Sequence, residues 1–170
     1  WKTTEEISRV AVLLGEKYKS HIAKDKLANL GLFHGCGVPV MAMKYKNYQQ
    51  LLDNALTTPE LAFTEIEEQN YGVNHATIGY YVASSWRIPK DVCQIILQHH
   101  DRSFINQLNG SQQQDLFAVL KLSEQLVSLK HSNCDSADWP YVQENACKLL
   151  AIDESTLEAL IAEFTDSNNA

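Results

Sequence analysis

The sequence predicts an all-α protein, a single-domain bundle of roughly eight to ten helices. Apolar residues recur at three- and four-residue spacing along most of the 170 residues. No segment alternates apolar and polar residues over the length of a strand, so we assign no strands. Hydrophobic residues make up 45% of the chain, which is enough for one sizeable buried core.

In the first part of the chain, His34 falls on the apolar stripe of a predicted helix and should point toward the core. Gly35 and Gly37 end that stripe, and Pro39 suits the first turn of the next helix. Thr58 is the expected cap of a later one. The helices predicted here cover residues 5–18, 24–34, 39–46, 48–55 and 59–69.

In the second part, Asn74 should cap a helix, and Pro89 and Pro140 should each open one. The apolar stripe that follows Pro89 ends at His99 and His100, so this pair should stand at a helix end. The helices predicted here cover residues 76–86, 90–100, 116–127, 141–150 and 153–164.

Composition narrows the classes of function. With 14 basic and 21 acidic residues, the net charge of -7 argues against a phosphate-backbone partner, so we expect no nucleic acid. No apolar run approaches the roughly 20 residues of a membrane span, and no signal pattern is visible, so we expect a cytoplasmic protein without membrane contact. The scattered cysteines predict reduced thiols. The composition leaves the oligomeric state open.

The domain is predicted to cover residues 1–165, with a disordered tail at residues 166–170. A helical pattern starts within a few residues of Trp1, so we expect the chain to be a piece of a longer protein.

The histidines at predicted helix ends form the candidate site, and they are His34, His75, His99 and His100. Neutral imidazole is the commonest metal ligand in proteins, which favours a metal site. The alternative is that each histidine is a core or helix-end residue satisfied by a hydrogen bond. His21 and His131 lie in polar contexts and should be surface residues.

Three segments carry a family resemblance: GLFHGCG at residues 31–37, YGVNHATIGYYVASSWRIP at residues 71–89, and ILQHHD at residues 96–101. Together they resemble the HDOD domain, the HD-related output domain of bacterial signalling proteins, over roughly residues 1–129. The fold implied by the resemblance is the helical bundle of the HD family, and the chain looks like the C-terminal part of a longer HDOD region.

Further residues fit the pattern of that family. Trp1 with Thr4 looks like the Trp and small hydroxyl residue that lead into the family's GLLHDIG-like segment. Glu65 or Glu68 looks like the Glu that precedes its G-x-x-H-x-x-x-G helix. Apart from the family pattern, Trp86, Tyr80, Tyr81 and Trp139 are expected to be core aromatics. The structural residues of the pattern are Gly31, Gly37, Gly72, Gly79, Trp86 and Pro89.

The resemblance implies a degenerate relative of the HD phosphohydrolases, in which a His-Asp pair and a later Asp bind metals. Here Gly35 follows His34, and AVLKL at residues 118–122 resembles the later V-A-D-K-L, which puts Leu120 at the Asp position. We therefore expect no cofactor and at most a weak mononuclear site for Zn or Ni. The ligands of that weak site would be His34, His75 and His99.

The leading functional prediction is a non-enzymatic regulatory module in signal transduction, which acts through a protein partner or a small ligand. One alternative is a metal-dependent phosphohydrolase or phosphodiesterase of HD type with weak or lost activity, using the four candidate histidines. The other alternative is a purely structural helical domain.

Overall fold

The structure is a computed structural model that describes residues 2–55, 61–106 and 109–166. In these ranges the regular elements are all helices, which confirms the all-α prediction. In chain order they are α1 Lys2–Tyr18, α2 Lys24–Phe33, α3 Gly37–Lys44, α4 Tyr48–Ala55, α5 Phe63–Tyr71, α6 His75–Ser85, α7 Lys90–Gln98, α8 Gln112–Ser132, α9 Trp139–Leu150 and α10 Glu154–Asp166.

Helix α8 forms the centre of the bundle. It contacts α1, α2, α7, α9 and α10, and residues 114–123 are buried without interruption. A helix that is covered on all sides buries residues around its whole circumference, and in α8 residues 116–120 and 122 are apolar while five other buried residues are polar or charged. One of these five is Lys121, whose side chain is fully buried. None of the helices in the described ranges has the length and apolar character needed to cross a bilayer.

Helix α7 packs against α8, α6 packs against α7, and α3 packs against α6. Gly37 and Gly79 set the spacing between α3 and α6. A Cβ atom on Gly37 would lie 1.9 Å from the carbonyl oxygen of His75 and 2.8 Å from the amide nitrogen of Gly79. Only a residue without a side chain fits there, so the backbones of α3 and α6 touch. This contact holds the start of α6 against the turn that follows α2.

Gly31 has the same role between α1 and α2. A Cβ atom there would lie 2.4 Å from the Cα atom of Ser8. The hydroxyl of Ser8 donates a hydrogen bond to the carbonyl oxygen of Ala28 at 2.9 Å, which joins the two helices at the same level.

Most predicted helix ends agree with the structure to within two residues, but α8 extends four to five residues beyond the predicted 116–127 at both ends, and the start of α5 is corrected. Thr58 was the expected cap and lies outside the described residues, while α5 begins at Phe63 with Ala62 before it. The side chain of Glu65 accepts a hydrogen bond from the backbone amide of Ala62 at 2.9 Å and so satisfies a free donor at this end. At the C-terminus, α10 includes Asp166, and residues 167–170 lie outside the described ranges, as does Trp1.

The prediction that Trp86 and Tyr81 are core aromatics is wrong. Trp86 is 65% exposed and Tyr81 is 66% exposed. Helix α6 ends at Ser85, and Arg87 has a left-handed φ of 60°, so the buried face of the helix does not continue to Trp86. The indole instead packs edge-on against Phe33 from the outside, with ring centroids 5.5 Å apart.

The glycine contact predicts that Gly37→Ala lowers the free energy of unfolding by about 3 kcal/mol, because the new methyl group meets backbone atoms that cannot rotate away. Gly35→Ala is the matched control. A Cβ atom on Gly35 meets nothing within 4 Å, so we expect a change within about 1 kcal/mol. Urea unfolding of both variants measures the difference, and equal effects would contradict the proposed packing.

Candidate functional site

Three helix ends bring the four predicted histidines together. His34 follows α2, His75 begins α6, and His99 and His100 follow α7. The ring centroids of His75 and His99 lie 5.2 Å apart, those of His75 and His100 4.9 Å, and those of His99 and His100 4.1 Å. His34 lies at the side of this group, 5.8 Å from His99. His75 and His99 are buried, whereas His34 and His100 are half-buried.

Backbone carbonyls fix the rings of His34 and His99. The Nδ1 atom of His34 lies 2.8 Å from the carbonyl oxygen of Gly31, and that of His99 lies 2.7 Å from the carbonyl oxygen of Ile96. A carbonyl oxygen only accepts hydrogen bonds, so Nδ1 carries the proton in both rings. In a neutral ring, Nε2 is then a bare acceptor.

Carboxylates fix the other two rings in the same sense. The Nδ1 atom of His75 lies 2.6 Å from Oε2 of Glu67, and that of His100 lies 2.6 Å from Oδ2 of Asp138. An ionised carboxylate also only accepts, so Nδ1 donates in each pair. All four imidazoles therefore have Nε2 as the nitrogen left for a further partner.

Glu67 is a fully buried carboxylate with its own set of donors. Its Oε2 atom also accepts the backbone amide of His75 at 3.0 Å, and its Oε1 atom accepts the hydroxyl of Tyr48. Burial raises the pKa of Tyr48 far above its ordinary value, and the hydrogen bond to Glu67 adds to this, so the phenol keeps its proton and remains a donor. The glutamate before α6 that contacts His75 is therefore Glu67. The sequence had indicated Glu65 or Glu68.

Asp138 is the second buried carboxylate, and two cations hold it. Its Oδ2 atom lies 3.1 Å from Nζ of Lys121, and its Oδ1 atom lies 3.0 Å from Nε of Arg102. Burial alone would raise the pKa of Asp138, but the charge of Lys121 and the hydrogen bonds from His100 and Arg102 lower it well below its ordinary value. Lys121 also pairs with Glu124 at 2.9 Å.

Burial favours the uncharged form of three of the imidazoles, those of His34, His99 and His100. Burial lowers the pKa of His99 well below its ordinary value, and the charges of His100 and His75 lower it further. Burial also lowers the pKa of His34 and of His100, although their carboxylate neighbours Glu124 and Asp138 act in the opposite direction. The cluster therefore offers unprotonated nitrogen ligands at neutral pH.

The centre of the cluster contains an unusual contact. The Nε2 atoms of His75 and His99 lie 3.4 Å apart, and in the neutral rings both carry lone pairs. Two lone pairs at this distance repel each other unless a proton or a cation lies between them. The hydrogen bonds at the two Nδ1 atoms prevent either ring from avoiding the contact by changing its tautomer.

Among the described residues, the three histidines whose ligand atoms all lie within 4.8 Å of one another are His75, His99 and His100. The expected weak site consisted of His34, His75 and His99, so the structure brings together a different trio. His34 lies outside because its Nε2 atom faces Glu124, 3.6 Å from Oε1.

Neither predicted aspartate position supplies a carboxylate. Gly35 has no side chain, and Leu120 is fully buried in the hydrophobic core of the bundle. Glu67 and Asp138 are already bound by the donors described above. The residues present therefore do not fit a dinuclear centre of hard cations such as Mn or Mg, which needs several carboxylate oxygens.

A cleft of about 510 Å³ opens beside the trio, a size in the range of small-molecule sites. His100 is the member of the trio that lines this cleft. Other lining residues are Thr64, Glu65, Asn74, Leu97 and Arg102.

Sequence reasoning missed the residues that orient the rings: Tyr48, Glu67, Lys121 and Asp138. One signal was available, because Lys121 interrupts the apolar run of residues 116–122. A lysine in such a position needs a buried carboxylate partner. Nothing in the local sequence around Asp138 shows that it is this partner, since the two residues meet only in the fold.

The helical fold and the histidine cluster at its helix ends define a domain of the HD-related class. Residues 1–102 match the HDOD domain family, and the chain belongs to this family. The family prediction is thereby confirmed.

A solved structure shares the fold. It is an HDOD domain protein with unknown function from Geobacter sulfurreducens, with a TM-score of 0.69 and 19% sequence identity. The alignment covers 99% of this chain and 58% of that chain, so this chain spans little more than half of that protein. At this identity the similarity shows the fold alone. No curated protein matches the sequence.

The buried neutral histidines predict a pH-dependent stability. The pKa of His34, His99 and His100 is lower in the folded chain than the ordinary value of about 6.5, so below this pH the unfolded state binds protons that the folded state excludes. The free energy of unfolding should therefore decrease from about pH 7 to about pH 5, toward the lower folded-state pKa.

Urea unfolding in a chelating buffer at several pH values measures this dependence. His99→Gln should flatten it, because the buried ring that excludes a proton in the folded chain is then absent. A wild-type profile without a slope in this interval would show that the imidazoles are not held neutral by burial.

Proposed function

We propose that this HDOD domain is a non-enzymatic regulatory module of a bacterial, cytoplasmic signalling protein, which acts by binding a partner protein or a small ligand. The observation that carries the proposal is the replacement of both metal-binding aspartates. Gly35 stands where the family resemblance places the first aspartate, and Leu120, at the position that it gives the second, is a buried residue of the hydrophobic core.

The electrostatics of the cluster support the same conclusion. Hydrolysis of a phosphate ester by an HD-type centre needs two cations, which anionic ligands must hold in place. Here the fully buried ammonium of Lys121 is already paired with Asp138 and Glu124, and Arg102 also pairs with Asp138. The second cation of such a centre would lie beside the positive charge of Lys121, and no anionic ligand would be left to offset its own charge.

Two features suit a binding role. The cleft beside His100 has the volume of a small-ligand site. The exposed rings of Tyr81 and Trp86 belong to the residue types that are enriched in protein interfaces. A ligand or partner that binds one arrangement of α5, α6 and α7 better than another would shift the population toward it.

The second candidate is a weak phosphohydrolase or phosphodiesterase. The observation in its favour is the trio of imidazoles, because three histidines suffice for a catalytic zinc ion in some enzymes. The two candidate functions differ in one measurable property. Only the enzyme would hydrolyse a phosphate ester at a rate that depends on His75, His99 and His100.

Hydrolysis of nucleotides, of phosphomonoesters and of bis(p-nitrophenyl) phosphate by tag-free protein tests the choice, with Mn, Mg or Zn added. We expect the wild type and the His75→Gln/His99→Gln double variant to show equal background rates, because the chain lacks the anionic ligands of the hydrolytic centre. Circular dichroism checks that the variant is folded, and His100→Gln replaces it otherwise. A wild-type rate that the variant loses would establish an enzyme and overturn the proposal.

A further inference from the structure

We infer that His75, His99 and His100 bind one divalent transition-metal ion of the zinc class through their Nε2 atoms. This inference goes beyond the regulatory proposal, since it names the occupant of the cluster and is tested by metal binding alone.

The orientation of the rings is the first argument. Each Nδ1 atom of the trio donates to an acceptor: Oε2 of Glu67 for His75, the carbonyl oxygen of Ile96 for His99, and Oδ2 of Asp138 for His100. Metal-binding histidines nearly always donate their second ring nitrogen to a carboxylate, a carbonyl or water, which fixes the tautomer and the direction of the ring.

The distances are the second argument. With Zn–N bonds of about 2.0 to 2.1 Å in tetrahedral geometry, two ligand nitrogens lie roughly 3.3 Å apart. The Nε2 atoms of His75 and His99 are separated by 3.4 Å, and the ligand atoms of the trio all lie within 4.8 Å of one another. His100, which follows α7, is the half-buried member of the trio. A metal ion also removes the repulsion between the lone pairs of His75 and His99.

The charges are the third argument. Glu67 and Asp138 stand directly behind His75 and His100 and partly offset the charge of the cation. The ammonium of Lys121 opposes the cation, but it is paired with Asp138 and Glu124.

The donor set selects the metal. Imidazole nitrogens suit Zn, Ni, Co and Cu, whereas Mg, Ca and Mn prefer oxygen ligands, which the trio does not supply. His100 lines the cleft, so an ion from solvent reaches the trio on this side. Three protein ligands leave a fourth position for water or for a small anion from the cleft.

The test uses tag-free protein that has been stripped with a chelator. Calorimetric titration with zinc chloride should show one ion bound per chain, and manganese chloride should show no binding. Cobalt(II) should give the intense visible absorption of a four-coordinate ion, which reports the coordination geometry independently of any activity.

Variants locate the ion. His99→Gln should abolish zinc binding, and Glu67→Gln should weaken it by about 10- to 100-fold, because Glu67 orients a ligand without touching the metal. His34→Gln is the matched control, since His34 lies in the cluster but outside the trio, and it should bind zinc as the wild type does. Circular dichroism checks the fold of each variant, and His100→Gln replaces His99→Gln if the latter unfolds.

Failure of the stripped wild type to bind zinc, nickel or cobalt would overturn the inference. The contact between the Nε2 atoms of His75 and His99 would then be explained by a proton shared between them. Binding that survives in both His99→Gln and His100→Gln would overturn it as well, because the ion would then lie elsewhere on the chain. Neither result bears on the absence of hydrolysis, so the regulatory proposal is tested separately.

Discussion

The hydrogen bonds at the Nδ1 atoms of the four histidines are the constraint on which the candidate site depends. They place the ring protons on the outer side of the cluster and turn the Nε2 lone pairs of His75 and His99 toward each other. Two buried carboxylates, Glu67 and Asp138, supply half of these bonds and accept hydrogen bonds or ion pairs from further donors. The buried carboxylates therefore orient the rings of His75 and His100.

The bundle holds this arrangement in place through contacts that tolerate little change. The backbone contact at Gly37 fixes the start of α6, and the buried helix α8 carries Lys121 to Asp138 at the start of α9. Breaking a buried ion pair by removing one partner costs about 3 to 5 kcal/mol, because the remaining charge is left without compensation. The same network that stabilises the fold thus sets the positions of the rings, and a change in one helix alters the site.

The fold and the identity of the four histidines were predictable from the sequence, because apolar periodicity and capping residues such as Asn74 act locally. The partners of the rings were not, since Glu67 and Asp138 reach their histidines only through tertiary packing. Trp86 is a case in which the local sequence pattern predicted the wrong environment. Its spacing places it on the buried face of α6, but the helix ends one residue earlier and the ring is exposed. The choice between His34 and His100 as the third member of the trio likewise depended on where Glu124 lies.

The tautomers of the histidine rings give the most direct test of this account. Long-range ¹H–¹⁵N correlation spectra of ¹⁵N-labelled, chelator-treated protein report which nitrogen of each ring carries the proton. The account predicts a protonated Nδ1 and a bare Nε2 at neutral pH for His34, His99 and His100. A protonated Nε2 with a bare Nδ1 at His99 would contradict it, because the ring would then donate toward His75 instead of toward the carbonyl oxygen of Ile96.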